Sequence, residues 1–212
     1  MPSARTTLRT HAERARYERA TVDEILDEGL VCHVGFVVDA QPFVIPTIHA
    51  RLGDELFLHG SPVARMMRGL AAGIPACVTV TLLDGLVLAR SVYHHSMNYR
   101  SAVVLGAARE LTGHDERLRA LEAIVEHVAR GRWADARQPN AAELKATSVL
   151  AMRLDECSAK VRAGAPEDDP DDVGLPVWAG VLPLQPQPGA PQPAPDLPAG
   201  IGVPPYLAPY TR

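Results

Sequence analysis

The sequence is poor in aromatic side chains and carries no excess of positive charge. Aromatic residues make up 5% of the 212 residues, which argues against a protein whose main task is to stack on nucleic-acid bases. The formal net charge is −4 at pH 7, so the whole chain has no electrostatic attraction to DNA or to anionic membranes. We therefore expect neither a nucleic-acid partner nor a membrane partner.

Cysteine is also scarce, and long apolar runs are missing. Cys32, Cys77 and Cys157 lie far apart and form no Cys-x-x-Cys pair, which disfavours both a disulfide framework and a structural zinc site. No stretch of about 18 apolar residues, the length that a membrane helix needs, occurs. The first residues lead into polar sequence rather than into the apolar segment of a secretory signal. We expect a soluble cytoplasmic protein without a bound metal.

The common catalytic motifs are absent as well. No G-x-G-x-x-G opens a helix after a strand, and no G-x-x-x-x-G-K-[ST], G-x-S-x-G or H-E-x-x-H occurs. These absences argue against a Rossmann nucleotide site, a P-loop, a nucleophile elbow and a zinc-protease helix.

What the sequence does contain is enough apolar surface for a core, because 47% of the residues are hydrophobic and 22% are charged. The pattern predicts a short helix that starts at Thr21 as N-cap and stops at Gly29. Strands are predicted over 30–38, 43–48 and 55–59, as a meander of the kind found in barrels. Asp84-Gly85 predicts a hairpin between 76–83 and 86–91.

The second half of the chain continues this mixture of strands and helices. A long strand is predicted over 101–111, an amphipathic helix over 115–128, a short helix after Asn140, and strands over 149–154 and 158–161. Beyond Leu184 closely spaced prolines predict extended polyproline-like chain, either disordered or laid across a surface. We divide the chain into an N-terminal arm and helix (1–28), a barrel domain (29–164), an acidic loop with a tryptophan (165–184) and a Pro-rich tail (185–212).

The segment from His59 to Arg68 is the strongest candidate for a binding site. A predicted strand ends there and a predicted helix begins, with Ser61 as N-cap and Pro62 in the first turn. Free backbone N–H groups at such a junction bind anions. Arg65 and Arg68 are three residues apart, so they share one helix face and can both contact a phosphate. The alternative is an ordinary capped surface helix with solvated arginines.

A second candidate lies between Ser91 and Ser101, where hydroxyl, imidazole and guanidinium groups are concentrated. His94 and His95 are adjacent, so on extended chain they point in opposite directions and do not easily serve one site. A composite site with histidines of the predicted strands lacks any ligand-spacing motif. Structural or surface histidines are the simpler explanation.

Taken in order, several segments resemble the pyridoxamine 5′-phosphate oxidase-like flavoproteins, and within them the nitroimidazole-resistance-like branch. The segments are Leu30–Phe36, Gln41–Thr47, Glu55–Ser61 with Arg65, Asn98–Gly106, Ser158–Arg162 and Leu175–Pro183. The resemblance covers roughly Arg14 to Leu184. It implies a mainly β fold with flanking helices (α+β), namely a split β-barrel that binds FMN and forms a domain-sharing homodimer.

The resemblance also implies residue roles. It assigns the FMN phosphate to Ser61 and Arg65 with help from Arg100 and Ser101, the isoalloxazine ring to the strand at Ile45, Pro46 and Thr47, and a covering position over the ligand or the dimer seam to Trp178. His59 is the titratable residue beside the phosphate junction and thus the candidate for proton transfer or substrate contact.

The activity implied by this resemblance is that of an FMN-dependent oxidoreductase that passes reducing equivalents from NAD(P)H to a small acceptor, for example a nitroaromatic compound. The C-terminal signature that binds substrate phosphate in pyridoxamine phosphate oxidases has no counterpart here, so pyridoxamine phosphate is not the expected substrate. Two alternatives stay open: a flavin-binding protein without turnover, and a split barrel that binds haem or a deazaflavin, since imidazole ligates haem iron.

Overall fold

The computed structural model describes residues 3–207 and residue 210, and within them nine strands pair antiparallel in one sheet of order β1-β8-β6-β7-β4-β3-β2-β5-β9. The strands are β1 (Ala15–Arg16), β2 (Val31–Val38), β3 (Gln41–Leu52), β4 (Glu55–Gly60), β5 (Pro75–Leu88), β6 (Ser96–Glu110), β7 (Ser148–Arg153), β8 (Cys157–Arg162) and β9 (Gly180–Pro183). The helices are α1 (Arg19–Glu28), α2 (Arg65–Ala71), α3 (His114–Val128), α4 (Arg132–Asp135) and α5 (Ala141–Lys145).

Six of the strands close a barrel, because β6 pairs with both β5 and β7 while β2 pairs with β5. Two long strands change partners on the way round. β3 pairs with β2 as far as Ile48 and with β4 from His49 onward, and β6 pairs with β8 as far as Val104 and with β7 from Ala108. The barrel is therefore split into two sheet sections, and the mainly β architecture predicted from the sequence is confirmed.

Two apolar cores hold the barrel and its helices together. Alternate residues of the strands, such as Leu56, Ala102 and Val104, fill the barrel with the buried faces of α1 and α2. The opposite face of the β3–β4–β7 section carries Phe57, which packs under α3 with Ala50, Val149, Ala151, Ala120 and Ile124. The period of two along each strand thus divides its apolar residues between the two cores.

Several helix boundaries differ from the prediction. α1 begins at Arg19 with Glu18 as N-cap, so the assignment of Thr21 as N-cap is wrong, although Gly29 is the C-cap as expected. α5 follows Asn140, whose side chain accepts a hydrogen bond from the Glu143 N–H in a capping box, as the sequence predicts. None of the described helices is long and apolar enough to cross a membrane.

The predicted hairpin at Asp84-Gly85 is wrong. β5 runs through both residues, and its register with β6 shifts between Leu83 and Gly85, which marks a β-bulge. A side chain at position 85 would have no room, because a Cβ there would lie 3.0 Å from the Leu182 carbonyl oxygen of β9. Asp84 and Gly85 therefore form a β-bulge, and Gly85 allows the edge strand β9 to approach β5. The sequence did not predict β9.

The Pro-rich tail is laid across the surface, which is one of the two forms predicted for it. The Tyr206 hydroxyl donates a hydrogen bond to Asp135 Oδ2 at 2.6 Å, and the Tyr210 hydroxyl donates one to the Val128 carbonyl oxygen at 2.7 Å. Both contacts tie the tail to the end of α3 and to α4, so the tail returns to the body of the protein through its tyrosines.

Truncation after Leu184 is expected to leave the fold intact, because the buried apolar residues of both cores end at Ala159. We expect cooperative thermal unfolding and a decrease in Tm below about 4 °C, which corresponds to about 1 kcal/mol for a chain of this size. The full-length Tyr206→Phe variant is the control, since it loses the hydroxyl contact and keeps the tail. A much larger decrease in Tm would show that the tail belongs to the cooperative unit.

Candidate functional site

The first half of β3 is an open strand edge. From Gln41 to Ile48 it pairs only with β2 among the described residues, and its other edge, which β4 occupies from His49 onward, is uncovered. Pro42 and Pro46 carry no N–H and cannot donate a hydrogen bond to β2. Their backbone nitrogens therefore face the open edge, where a proline removes no hydrogen bond of the sheet. We call the uncovered surface between this edge and the junction of β4 with α2, which Arg65 joins through its contact with Phe43, the groove.

The backbone of this edge offers hydrogen-bond donors. In a strand, successive residues direct their N–H and C=O groups to opposite sides. Because Pro42 and Pro46 face the open side, Val44 and Ile48 face it too, and both of them have an N–H to donate. The Val44 side chain is 65% exposed, so the edge is apolar and uncovered at the same time.

Arg65 reaches the same edge from the first turn of α2. Its guanidinium carbon lies 4.5 Å from the centroid of the Phe43 ring, which in turn stacks on Phe36. Neither Arg65 nor Arg68 has an acidic partner within 4.0 Å in the described part of the chain, whereas most other arginines are paired. Two exposed cations beside an uncovered strand edge are suited to an anionic ligand.

The junction before α2 differs from the prediction. α2 begins at Arg65 with Ala64 as N-cap, so Ser61 is not an N-cap and Pro62 is not in the helix. Ser61 instead opens a turn, in which the Ala64 N–H donates to its carbonyl oxygen at 3.0 Å. The Ser61 side chain is exposed at this turn, which leaves its hydroxyl available to a ligand near Arg65.

The three ring-contact candidates on β3 lie on different faces. Ile45 and Thr47 share the face of Phe43, over which Arg65 stacks, while Pro46 points the opposite way. The structure thus brings Ile45, Thr47 and Arg65 to one side of the strand. Pro46 contributes to the open edge through its backbone.

Arg100 and Ser101 do not serve one site together, because adjacent residues of a strand point to opposite faces. Arg100 is engaged by Glu28 and, at 2.8 Å, by Asp84. Hydrogen bonds that the guanidinium donates to Glu28, and then those to Asp84, raise its pKa. Ser101 is on the outer face of β6, where its hydroxyl donates to the Lys160 carbonyl oxygen at 3.3 Å. The structure does not leave Arg100 free for a phosphate.

His59 faces away from the barrel interior, toward α3. It lines a cavity of about 290 Å³ whose walls include Leu121, Val125, Trp133 and Leu144. Its Nδ1 is buried and has no hydrogen-bond partner among the described residues. Burial lowers the pKa of His59 below its ordinary value. The neutral imidazole thus lies in an apolar pocket, on the side of β4 that Phe57 also faces.

Trp178, His94 and His95 contact residues outside β3. Trp178 is 66% exposed and packs against Gly180 at the start of β9. His94 pairs with Asp169 at 3.2 Å, and His95 Nδ1 bonds to the Ser91 carbonyl oxygen at 2.9 Å. No group of three or more metal-ligating side chains occurs within residues 3–207 and 210.

Sequence reasoning missed a second large feature, an open cleft of about 1020 Å³ between α1, α3 and the tail. Arg51 and Arg100 line it and are already paired with acidic side chains of α1. Tyr206 and Tyr210 close one side, and these two tyrosines in a Pro-rich segment are the signal that the tail packs on the body. The wall residues also include Glu24, Asp27, Glu28, Glu126, His127 and Arg130.

Comparison with known proteins identifies relatives over nearly the whole chain. The sequence model of one family, described as pyridoxamine 5′-phosphate oxidase, matches residues 18–161. The structure of the flavocytochrome Anf3 from Azotobacter vinelandii is 38% identical with a TM-score of 0.92, and covers 98% of this chain and 96% of its own. The FAD and haem binding protein from Mycobacterium smegmatis is also 38% identical, with a TM-score of 0.88 and coverage of 92% and 96%.

A more distant structure shows the fold alone. A Bacteroides thetaiotaomicron protein that carries a provisional 5-nitroimidazole resistance name is 22% identical, has a TM-score of 0.59, and covers 69% of this chain and 86% of its own. No curated protein matches the chain.

The half-buried imidazole of His59, whose Nδ1 is buried, predicts a pH-dependent stability. Its pKa in the folded protein is below the ordinary value of 6.5, so between these two values the unfolded chain binds more protons. The free energy of unfolding therefore falls as the pH is lowered through about 6.5. Urea unfolding at pH 7 and pH 5 should show a smaller loss of stability in His59→Leu than in the wild type.

The matched control is His114→Gln, because His114 is exposed at the start of α3. This variant should keep the pH dependence of the wild type. Equal pH dependence in His59→Leu and the wild type would contradict the assignment of His59 as a buried neutral group.

Proposed function

Because the chain belongs to the pyridoxamine 5′-phosphate oxidase family, we propose that it binds a flavin in the groove between the open edge of β3 and α2, as a flavin-dependent oxidoreductase. The observation that carries this proposal is that Arg65 and Arg68 are exposed and form no ion pair with the described acidic side chains, and that Arg65 lies beside an uncovered apolar strand edge. The names of both 38% identical relatives include a flavin, one as a flavocytochrome and the other as an FAD-binding protein, which supports this proposal.

The flavin phosphate is proposed to bind Arg65, with the Ser61 hydroxyl and Arg68 beside it. Phe43 holds the Arg65 guanidinium by stacking under it at 4.5 Å, and such a contact leaves the edges of the guanidinium, which carry its N–H donors, free. Ser101 is left out, because it lies on the outer face of β6 and its hydroxyl donates to the Lys160 carbonyl oxygen. Arg100 is left out as well, since Glu28 and Asp84 already neutralise its charge.

The ring of the flavin is proposed to lie along Ile45, Pro46 and Thr47. Apolar surface at Ile45 excludes water from one side of the ring, and the N–H groups of Val44 and Ile48 on the open edge can donate to its polar rim. A bound flavin supplies hydride-transfer chemistry. Fixed N–H donors stabilise the negative charge that such a ring gains on reduction. The protein itself therefore binds, orients and shields the cofactor.

FMN is the form of flavin that we propose, because one terminal phosphate is all that the Arg65 site requires. FAD is the competing form, since the Mycobacterium smegmatis relative is named for it. The reductant is proposed to be NADH or NADPH, and the acceptor a small electron-poor molecule such as a nitroaromatic compound. His59 lies in its own apolar pocket, so we propose no proton transfer by His59 at the flavin.

A homodimer is part of this proposal. Most outward residues of β2 and β3 are apolar, with Val31, Val37, Val44 and Ile48 between 38% and 65% exposed, and the exposed His33 lies among them. An exposed and largely apolar sheet face of this kind marks an interaction surface. A second copy would cover it and would close the groove from above, with Trp178 as a proposed contact at the seam.

Haem is a second candidate cofactor, because both 38% identical relatives carry a cytochrome or haem name. The described residues fit a porphyrin less well than a flavin. The pocket of His59 has an imidazole and apolar walls, but its volume is about 290 Å³. The large cleft has room, but four carboxylates line it and two of its arginines are paired. We therefore derive no chemistry from haem.

Arg65→Ala should weaken flavin binding by about 1.5–3 kcal/mol, the value of a lost hydrogen bond to a charged group. Fluorescence titration of flavin-free protein with FMN measures the change. Arg119→Ala is the control, because Arg119 is exposed on α3, far along the chain from the groove, and has no partner among the described side chains. Unchanged FMN affinity in a folded Arg65→Ala variant would mean that the phosphate binds elsewhere.

The absorption spectrum of freshly purified protein, with its mass in solution, tests the cofactor and the assembly together. We expect flavin bands, a dimeric mass, and bleaching of the flavin by NADH or NADPH under anaerobic conditions. A Soret band would show haem. A flavin that no reductant but dithionite bleaches would favour binding without turnover, and a colourless protein that takes up no added flavin would contradict the proposed function.

A further inference from the structure

A second group of uncompensated cations lies on the outer face of the sheet formed by β5, β6 and β8. Thr81, Ser101 and Lys160 are directly opposite one another in the register of these three strands. Their neighbours Ala102 and Ala159 are buried in the barrel core, so the three polar side chains point outward. We call Thr81, Ser101, Lys160 and Arg162 the outer patch.

Arg162 supplies a buried positive charge to this patch. It is 7% exposed, and its N–H groups donate to Asn98 Oδ1 and, at 3.3 Å, to the Ala165 carbonyl oxygen. Its Nε is buried without a partner, and no carboxylate lies within 4.0 Å in the described chain. A buried guanidinium held only by neutral groups keeps its full charge at a cost in stability. Such a charge attracts an anion.

Lys160 presents the second charge, two residues earlier on the same strand face. Two positions along a strand span about 6.6 Å, so one oxyanion group can feel both charges. Lys160 is half-buried and forms no ion pair within residues 3–207 and 210. The Thr81 hydroxyl stands in the same row as a neutral donor, whereas the Ser101 hydroxyl already donates to the Lys160 carbonyl oxygen. Among the described residues, the patch therefore combines two cations and one available hydroxyl donor, and neither cation forms an ion pair with a carboxylate.

The outer patch is separate from the proposed flavin-phosphate site. Arg65 stacks on Phe43, which shares its sheet face with the core residue Phe36. Lys160 lies on the opposite, outer face of the sheet, because its neighbour Ala159 is buried in the core. A single phosphate cannot contact both, whereas an extended molecule with phosphates remote from its reactive end can reach from one to the other.

We propose that the outer patch is an oxyanion site that binds a phosphate group of the dinucleotide reductant, with Lys160 as the contacting cation and Arg162 as the fixed charge behind it. The assignment to the reductant rests on the proposed function; the anion site itself rests on the charges described here. Lys160 is then a residue that determines reductant affinity, and it takes no part in the chemistry at the flavin.

Titration calorimetry with inorganic pyrophosphate tests the anion site directly. The flavin-loaded protein is used, so that the Arg65 site is occupied; where the protein takes up no flavin, the same titration is run on Arg65→Ala. Lys160→Gln should raise the Kd for pyrophosphate at least tenfold, and Lys160→Arg should keep it within about threefold. Lys145→Gln is the matched control, because Lys145 is the other lysine of the chain and lies on α5.

Anaerobic stopped-flow reduction by NADPH then tests the assignment to the reductant. In Lys160→Gln the concentration of NADPH at half-maximal rate should rise about tenfold, while the limiting rate and the reduction by dithionite stay unchanged. If Lys160→Gln weakens pyrophosphate binding but leaves the NADPH concentration at half-maximal rate unchanged, the assignment of the site to the reductant is wrong, and the anion site itself stands.

Two results would overturn the site itself. One is pyrophosphate binding that is absent, or equal in Lys160→Gln and the wild type. The other is conversion of a dimer to a monomer by Lys160→Gln in light scattering, which would show that a carboxylate of a second copy faces the lysine.

Discussion

The change of partner in the middle of β3 is the constraint on which the rest of the structure depends. One continuous strand pairs with β2 over its first eight residues and with β4 over its last four. This change of partner closes the barrel and also splits it into two sheet sections. β4 covers one edge of β3 from His49 onward, and the same edge of β3 is uncovered before His49. Two prolines fit this bare edge, since their missing N–H groups cost nothing on a side that has no partner.

The bare edge also explains why charge is distributed unevenly over the protein. Arginines that stabilise the fold are paired: Arg51 with α1, Arg100 with Glu28 and Asp84, Arg90 with Asp168. Arg65 and Arg68 at the α2 end of the groove, and Lys160 and Arg162 on β8, form no ion pair among the described residues, and the same holds for Arg119 on α3. The proposed binding residues are distinguished by their place: Arg65 lies beside an uncovered strand edge, and Lys160 and Arg162 share one face of β8.

The pattern of the sequence predicted the strands and most helices because those depend on local periodicity. The meander over β2, β3 and β4, the long strand β6, helix α3 and the Asn140 cap all follow from apolar spacing and capping residues near one another in the chain. The family resemblance, confirmed by comparison, supplied the closure of the barrel. Elements whose cause is non-local were missed or misplaced: β1 and β9 exist only because a strand edge is there to pair with, and Asp84-Gly85 forms a bulge because β9 passes close to Gly85.

For the candidate site, the sequence by itself determined which residue types are available: two arginines three apart, a serine before them, and an apolar strand with prolines. Only the tertiary structure decided which of them meet. Alternation along β6 separates Arg100 from Ser101, and an ion pair with α1 removes Arg100 from the site. His59 is two residues before Ser61 in sequence but faces α3 with Phe57, whereas Ser61 lies in the turn that follows the end of β4 at Gly60. The sequence determines which functional groups are present and how they are spaced along the chain. The direction of each side chain depends on strand pairing between distant segments.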